Sequence, residues 1–317
     1  MLVLVAPGQG AQSPGFLTPW LDLPGAADRL RAWSEATDLD LVHYGTKADA
    51  EEIRDTAVAQ PLLVAGALLS AEALFGAEGM PAPHEAVGVT AGHSVGELAA
   101  AAVAGVLSPE EAMVLVRRRG LAMAEAASVT ETGMSAVLGG DPEAVTGHLE
   151  RLGLTAANIN GAGQIVAAGT TEQLAALAAE RPEKARVMPL KVAGAFHTRH
   201  MAPAVAAMEA AAAEVSVSAP KIRFVSNADG GVVGDGQEIV RRLVAQVSNP
   251  VRWDMCMETF GELGATAMVE LCPGGTLTGL ARRGMPGVAT LAVKSPDQLT
   301  AARELITEHA AGAAAAE

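Results

Sequence analysis

Aromatic side chains are scarce, 3% of 317 residues with a single tyrosine. A stacking platform for bases or sugar rings is therefore not expected. Cysteine is scarcer still. Cys256 and Cys272 are the only two, too few for a disulfide framework or a four-thiolate metal site, so no metal centre and a reduced, cytoplasmic protein are expected. Positive charge is also short. Lys and Arg number 22 against 36 Asp and Glu, a net charge of −14, which argues against a general binder of nucleic acid or anionic membrane. The longest apolar window, Pro61 to Ala71, falls well short of the roughly 20 residues that span a bilayer. Met1 to Val5 is too short for a signal peptide and lacks a basic start. Ala310 to Glu317, almost all alanine, reads as a frayed tail. What is plentiful is apolar: half the residues are hydrophobic and 18% are charged, which suits a sizeable core and rules out wholesale disorder.

Short apolar runs alternate with helical stretches over most of the chain. Leu2 to Val5 reads as a buried strand stopped by Pro7-Gly8. Asp49 to Asp55 and Pro61 to Phe75 read as helices, the second with Pro61 in its first turn. Ala86 to Thr90 reads as a strand, Glu97 to Ala104 as a helix, and Pro109 opens another helix that runs through Arg117, Arg118 and Arg119. This alternation points to a mostly parallel sheet covered on both faces. The middle has another rhythm: strand Met134 to Leu138, helix Asp141 to Arg151, strands Leu154 to Asn160 and Ile165 to Ala168, helix Thr171 to Ala179, strand Ala185 to Val192. That β-α-β-β-α-β order is the split arrangement of ferredoxin-like domains. The expected organisation is a large α/β domain of residues 1–129 and 194–317, with a small domain of 130–193 inserted. Further helices are expected at Ala202 to Val215, Ile239 to Val247 and Leu277 to Arg283, and strands at Ile222 to Val225 and Ala267 to Leu271.

The strongest local signal is Gly92-His93-Ser94-Val95-Gly96 between a strand and a helix. Such a tight turn thrusts a serine outward, and flanking glycines relieve the crowding: a nucleophile elbow. The helix that follows offers its positive end and free N–H groups to an oxyanion. A serine hydroxyl needs a general base, and seven histidines are available. His43, His84, His148 and His309 sit in polar or terminal contexts, and His93 adjoins the serine but points elsewhere on the turn. His197, where the chain crosses back to the large domain, is the favoured base, with His200 its competitor.

Several separated segments agree on a resemblance: Pro7 to Gln12, Gln60-Pro61, Gly92 to Leu98, Arg119-Gly120, Asn158 to Asn160, Ala195-Phe196-His197, Asn249-Pro250-Val251 with Trp253, and Pro273-Gly274 before Leu277. Together they resemble the malonyl-CoA:acyl carrier protein transacylases of the fatty-acid and polyketide acyltransferase family, in order along nearly the whole chain. The resemblance implies an α/β hydrolase-like core with a ferredoxin-like small domain. It also implies a ping-pong transfer of malonyl from malonyl-CoA to the phosphopantetheine thiol of holo-acyl carrier protein. Ser94 would be the nucleophile and His197 the base, its ring oriented by a backbone carbonyl near Asn227 or Gln246. Gln9 and Val95 would supply the oxyanion N–H groups. Arg119 would hold the malonyl carboxylate, although by itself the Arg117–Arg119 run reads as a solvated basic helix end. Asn160, Gln246 and Phe196 would complete the substrate site, and Phe196 with Val95 would favour malonyl over branched units. No cofactor is implied beyond coenzyme A and phosphopantetheine as acyl carriers, and a monomer is the default.

Gly161-Ala162 stands where Ser-Pro is common in the family, and Cys272 where glycine is usual. A patch drawn from Lys184, Arg186, Lys191, Arg199, Arg282 and Arg283 is the candidate for steering an acidic carrier. A serine hydrolase is the rival reading, but its carboxylate would have to be Asp141 or Glu143, in the inserted domain. A non-catalytic relative is a second rival, disfavoured by intact Ser94, His197 and Arg119.

Overall fold

The computed structural model describes residues 1–192 and 194–310. The tail expected from Ala310 lies, past that residue, outside the described residues; Ala310 itself closes a helix, Leu299–Ala310.

Eleven strands form two sheets among the described residues. They are β1 (Leu2–Ala6), β2 (Val89–Gly92), β3 (Thr132–Gly139), β4 (Thr155–Gly161), β5 (Gln164–Thr170), β6 (Ala185–Pro189), β7 (Arg223–Val225), β8 (Val232–Val233), β9 (Val251–Arg252), β10 (Ala267–Glu270) and β11 (Ala289–Ala292). The larger sheet has the order β11-β10-β1-β2-β7-β8, parallel except for the terminal β7–β8 hairpin. Its central strand shows why the run is unbroken. Leu2, Leu4 and Ala6 enter the core on one side, Val3 and Val5 the core on the other, because successive side chains alternate faces. The fold is thus the expected hydrolase-like α/β core with a second sheet.

That second sheet has the order β6-β3-β5-β4-β9. Its first four strands are antiparallel in the ferredoxin-like order. The fifth comes from outside the expected insertion: Asn158 and Ile159 of β4 pair in parallel with Val251 and Arg252 of β9. A segment of the large unit therefore completes the small unit's sheet.

Three sequence expectations are corrected. Pro61 lies inside a helix, Thr56–Phe75, which begins five residues earlier under an Asp55 cap that accepts from Ala57 N at 2.7 Å. A proline within a helix leaves the carbonyl four residues back without its partner. Here that carbonyl belongs to Ala57, and Arg117 Nη1 donates to it at 2.8 Å. This 20-residue helix, of mean hydropathy 1.6, is long and apolar enough to cross a membrane, yet 83% of its apolar window is buried inside the protein. It is a core helix. Asp49 to Asp55 forms only a 3-10 turn at Glu52–Arg54. The strand expected at Ala86 to Thr90 runs instead from Val89 to Gly92, and Ala86 ends a short helix.

Candidate active site

Strand β2 delivers the elbow. Gly92 closes the strand because the next helix, Gly96–Val103, packs directly on it: a Cβ at Gly92 would lie 2.0 Å from Gly96 C, and one at Gly96 would lie 2.3 Å from Ala6 O. Between them Ser94 adopts φ +53°, a left-handed conformation rare for a residue with a side chain. The strain is held by Asn227, whose Oδ1 accepts from Ser94 N at 2.8 Å and whose Nδ2 donates to Gly92 O at 2.8 Å.

His197, 103 residues further along, places Nε2 2.7 Å from Ser94 Oγ. Its Nδ1 lies 2.8 Å from the Gln246 backbone carbonyl. A carbonyl only accepts, so Nδ1 carries the proton and Nε2 is free to accept from the serine hydroxyl. Of the two orienting carbonyls expected, that of Gln246 is the one in place; the Asn227 backbone carbonyl accepts from Arg252 N at 2.8 Å, and the Asn227 side chain braces the elbow. Burial, and next the positive charge of Arg119, hold the His197 imidazole down to about 3. The ring is therefore neutral at rest. His200 bonds through its backbone N to Thr198 Oγ1 and takes no part in the cluster.

Arg119 is 2% exposed, far from a solvated helix end. Nη1 donates to Gln60 Oε1 at 2.7 Å; Nη2 donates to Gln246 Oε1 at 2.9 Å and to Ser94 Oγ at 3.3 Å. Its five N–H donors meet three acceptors among the described residues. Burial lowers its pKa to about 10, still cationic at neutral pH. Arg117 faces away, to Thr37 O and Ala57 O.

Ser94, Val95, Gln9, Phe196, His197 and Gln60 line one cavity of about 220 Å³ between the two sheets' units. The backbone N–H groups of Gln9 and Val95 bond no acceptor among the described residues. Asn160 lines the cavity too, but its Oδ1 lies 2.8 Å from His93 Nε2. His93 thus ties the elbow to β4, and the Asn160 carbonyl is not open to a substrate. Asp141 caps the helix Pro142–Arg151 through Ala144 N, while His197 Nδ1 meets the Gln246 backbone carbonyl, so Asp141 is not the histidine's partner.

Two residues of this cluster have no role that the sequence pattern alone discloses. Gln60 anchors Arg119, and Glu97, 1% exposed, sits beneath the elbow with Oε1 accepting from Asn227 N at 2.6 Å. Nothing in their local sequence marks either as inward-facing.

Residues 3–305 match the family model described as acyl transferase domain. The chain belongs to the acyl transferase family. Among relatives of this acyl transferase, the malonyl CoA-acyl carrier protein transacylase of Mycobacterium bovis is 52% identical over 94% of this chain and 98% of its own. That of Bacillus subtilis is 32% identical over 97% and 98%. The crystal structure of MCAT from Mycobacterium tuberculosis superposes with a TM-score of 0.91 at 51% identity, covering 94% of this chain and 98% of that one. A malonyl-transacylase in complex with a type II PKS acyl-carrier protein gives 0.87 at 29% identity, covering 96% and 99%.

Proposed function

We propose that this acyl transferase moves the malonyl group of malonyl-CoA to the phosphopantetheine thiol of holo-acyl carrier protein through a malonyl-Ser94 intermediate. The observation that carries the reading is the convergence on Ser94 Oγ of His197 Nε2 at 2.7 Å and Arg119 Nη2 at 3.3 Å. Relatives bearing the transacylase name, and a neighbour bound to its carrier, support it.

His197 takes the hydroxyl proton as Ser94 attacks the thioester carbonyl, then returns it to the departing coenzyme A thiol. The carrier's thiol repeats the cycle in reverse. The carbonyl oxygen gathers negative charge at the Gln9 and Val95 N–H groups, and loss of one such donor costs about 10²–10³ in rate. The malonyl carboxylate is held by the Arg119 guanidinium, whose Nη1 and Nη2 N–H groups form a planar fork suited to two parallel hydrogen bonds once the Nη2 N–H now on Ser94 Oγ is released to it. Phe196 fills the space an α-methyl would need. Every step is supplied by side chains and backbone, so the reading calls for no metal or organic cofactor. The two units, 1–129 with 194–317 and 130–193, form the walls of the cleft. Both free, buried cysteines suit a cytoplasmic enzyme serving fatty-acid and polyketide synthesis.

The test is intact-protein mass spectrometry after mixing with malonyl-CoA, then with holo-carrier. A malonyl adduct that is absent in Ser94→Ala and passes to the carrier supports the reading. Free malonate without malonyl-carrier would favour a hydrolase.

A further inference from the structure

Glu97 lies at the root of the whole cluster and is used by no step above. Its two oxygens serve two different arms. Oε2 accepts from Gln246 Nε2, and Gln246 Oε1 in turn accepts from Arg119 Nη2 at 2.9 Å. Oε1 accepts from Asn227 N, and Asn227 Oδ1 accepts from Ser94 N at 2.8 Å. Both arms end at Ser94: one through the guanidinium that touches its Oγ, the other through its own N–H.

An amide side chain has no built-in preference for which end faces which neighbour; its partners decide. At Gln246 the decision is one-sided. Nε2 faces Glu97 Oε2 together with the acceptors Ser94 O and Asn227 Oδ1, both at 3.2 Å. Burial raises the Glu97 carboxyl to about 8; once ionised it can only accept, so it joins those two acceptors in holding the NH₂ end inward and turning the carbonyl end toward Arg119. The guanidinium is then fixed between two carbonyl oxygens, those of Gln246 and Gln60, beside Ser94 Oγ. Glu97 is also the carboxyl linked to the buried Arg119 charge in the chain of contacts, with one amide between them.

We infer that Glu97 is a positioning residue for acyl selectivity: by imposing the orientation of the Gln246 amide, it presents Arg119 to a carboxylate-bearing acyl group. The inference rests on the reading of Arg119 as the malonyl ligand. It separates two roles that share one carboxylate. The Gln246 arm governs which acyl group is accepted, and the Asn227 arm governs how the serine is held.

Glu97→Gln is the informative change when compared above pH 8, where wild-type Glu97 is ionised, because it keeps shape and removes acceptor-only character. If its carbonyl keeps the Asn227 N–H, its NH₂ faces the Gln246 NH₂, and Gln246 must rotate a donor toward Arg119. The readout is kcat/KM for acylation of Ser94 by malonyl-CoA and by acetyl-CoA, with thermal unfolding as the check on folding. The expected result is a fall in the malonyl-to-acetyl ratio of roughly 10–100-fold, the factor carried by one hydrogen bond to a charged group, with acetyl transfer reduced much less. Glu97→Asp keeps the charge and should retain more of the ratio than Glu97→Gln; it also serves as the test if the glutamine variant does not fold. Equal losses for both thioesters in the folded variant would overturn the positioning role and leave Glu97 a structural brace. A wild-type enzyme that forms no malonyl-Ser94 at all would instead overturn the reading of function, before any variant is compared.

Discussion

Arg119→Ala is the perturbation with the sharpest numerical expectation. The guanidinium is buried, held by Gln60 and Gln246, and touches Ser94 Oγ. Its removal deletes two charged hydrogen bonds to a malonyl carboxylate, about 1.5–3 kcal/mol each. The sum, about 3–6 kcal/mol, corresponds to a loss of roughly 10²–10⁴ in kcat/KM for malonyl-CoA. Acetyl-CoA carries no such carboxylate and should lose far less, so selectivity should collapse toward the smaller acyl group. A second effect travels with the first. Arg119 is the next cause after burial that holds His197 down to about 3, so the variant's imidazole should titrate at higher pH. The cost to folding is separate: the Gln60 and Gln246 carbonyls lose their donor, about 1–3 kcal/mol each unless water fills the vacated space. Quenched-flow acylation followed by intact mass spectrometry, run well below the melting temperature of the variant, isolates the chemical term. If malonyl and acetyl acylation fell by the same factor, Arg119 would not be a carboxylate ligand.

The neighbouring Arg117→Ala should behave in the opposite way. Its donors serve Thr37 O and the Ala57 carbonyl stranded by Pro61, so unfolding should cost about 1–3 kcal/mol less while kcat/KM for malonyl-CoA stays within twofold; a loss of selectivity would refute the structural role. The pH profile supplies another check. An ordinary histidine near 6.5 would lose about tenfold of its free base by pH 5.5. His197 is lowered to about 3 and stays neutral there, so kcat/KM for acylation should be nearly flat between pH 7.5 and 5.5. An acid limb centred near 6.5 would show that the imidazole is not held down. The sign for stability runs the same way: the unfolded chain takes up a proton below 6.5 that the native ring refuses, so this group's contribution is complete above 6.5 and declines as pH falls toward 3.

How much of this was legible beforehand depended on whether a residue's partner was near in sequence. The central strand announced itself because burial on both faces demands an uninterrupted apolar run, and the ferredoxin-like order followed from local periodicity. The helix Ala26–Thr37 has no start signal in the sequence, because Gly25 precedes it without a side-chain cap, and Trp253–Glu262 likewise follows Arg252, the last residue of β9, without one. Pro61 misled for a different reason: the rule that proline begins helices is suspended where a guanidinium from another helix takes the abandoned carbonyl. At the site, Ser94 and His197 carried their own signals, a strained turn and a crossover. Glu97 did not. An acidic residue in a first helical turn suits the dipole and a solvated face equally well, and only the arrival of Gln246 and Asn227 from remote segments turns it inward. The resemblance leaves Asn227 and Gln246 as alternative sources of the carbonyl that orients His197, and no sequence pattern shows that the Asn227 carbonyl is taken by Arg252 N.

The two-residue strand β9 constrains how the cleft can work. Val251 and Arg252 are zipped to β4 of the second sheet, and only five residues before Val251 Gln246 grips both the imidazole and the guanidinium. Swinging the small unit away would either unzip that seam or drag the gripping residue, and the reactive trio with it. An acyl-bearing arm must thread a doorway whose frame is bolted to the chemistry, so tolerance for bulky cargo has to come from trimming side chains and not from a hinge.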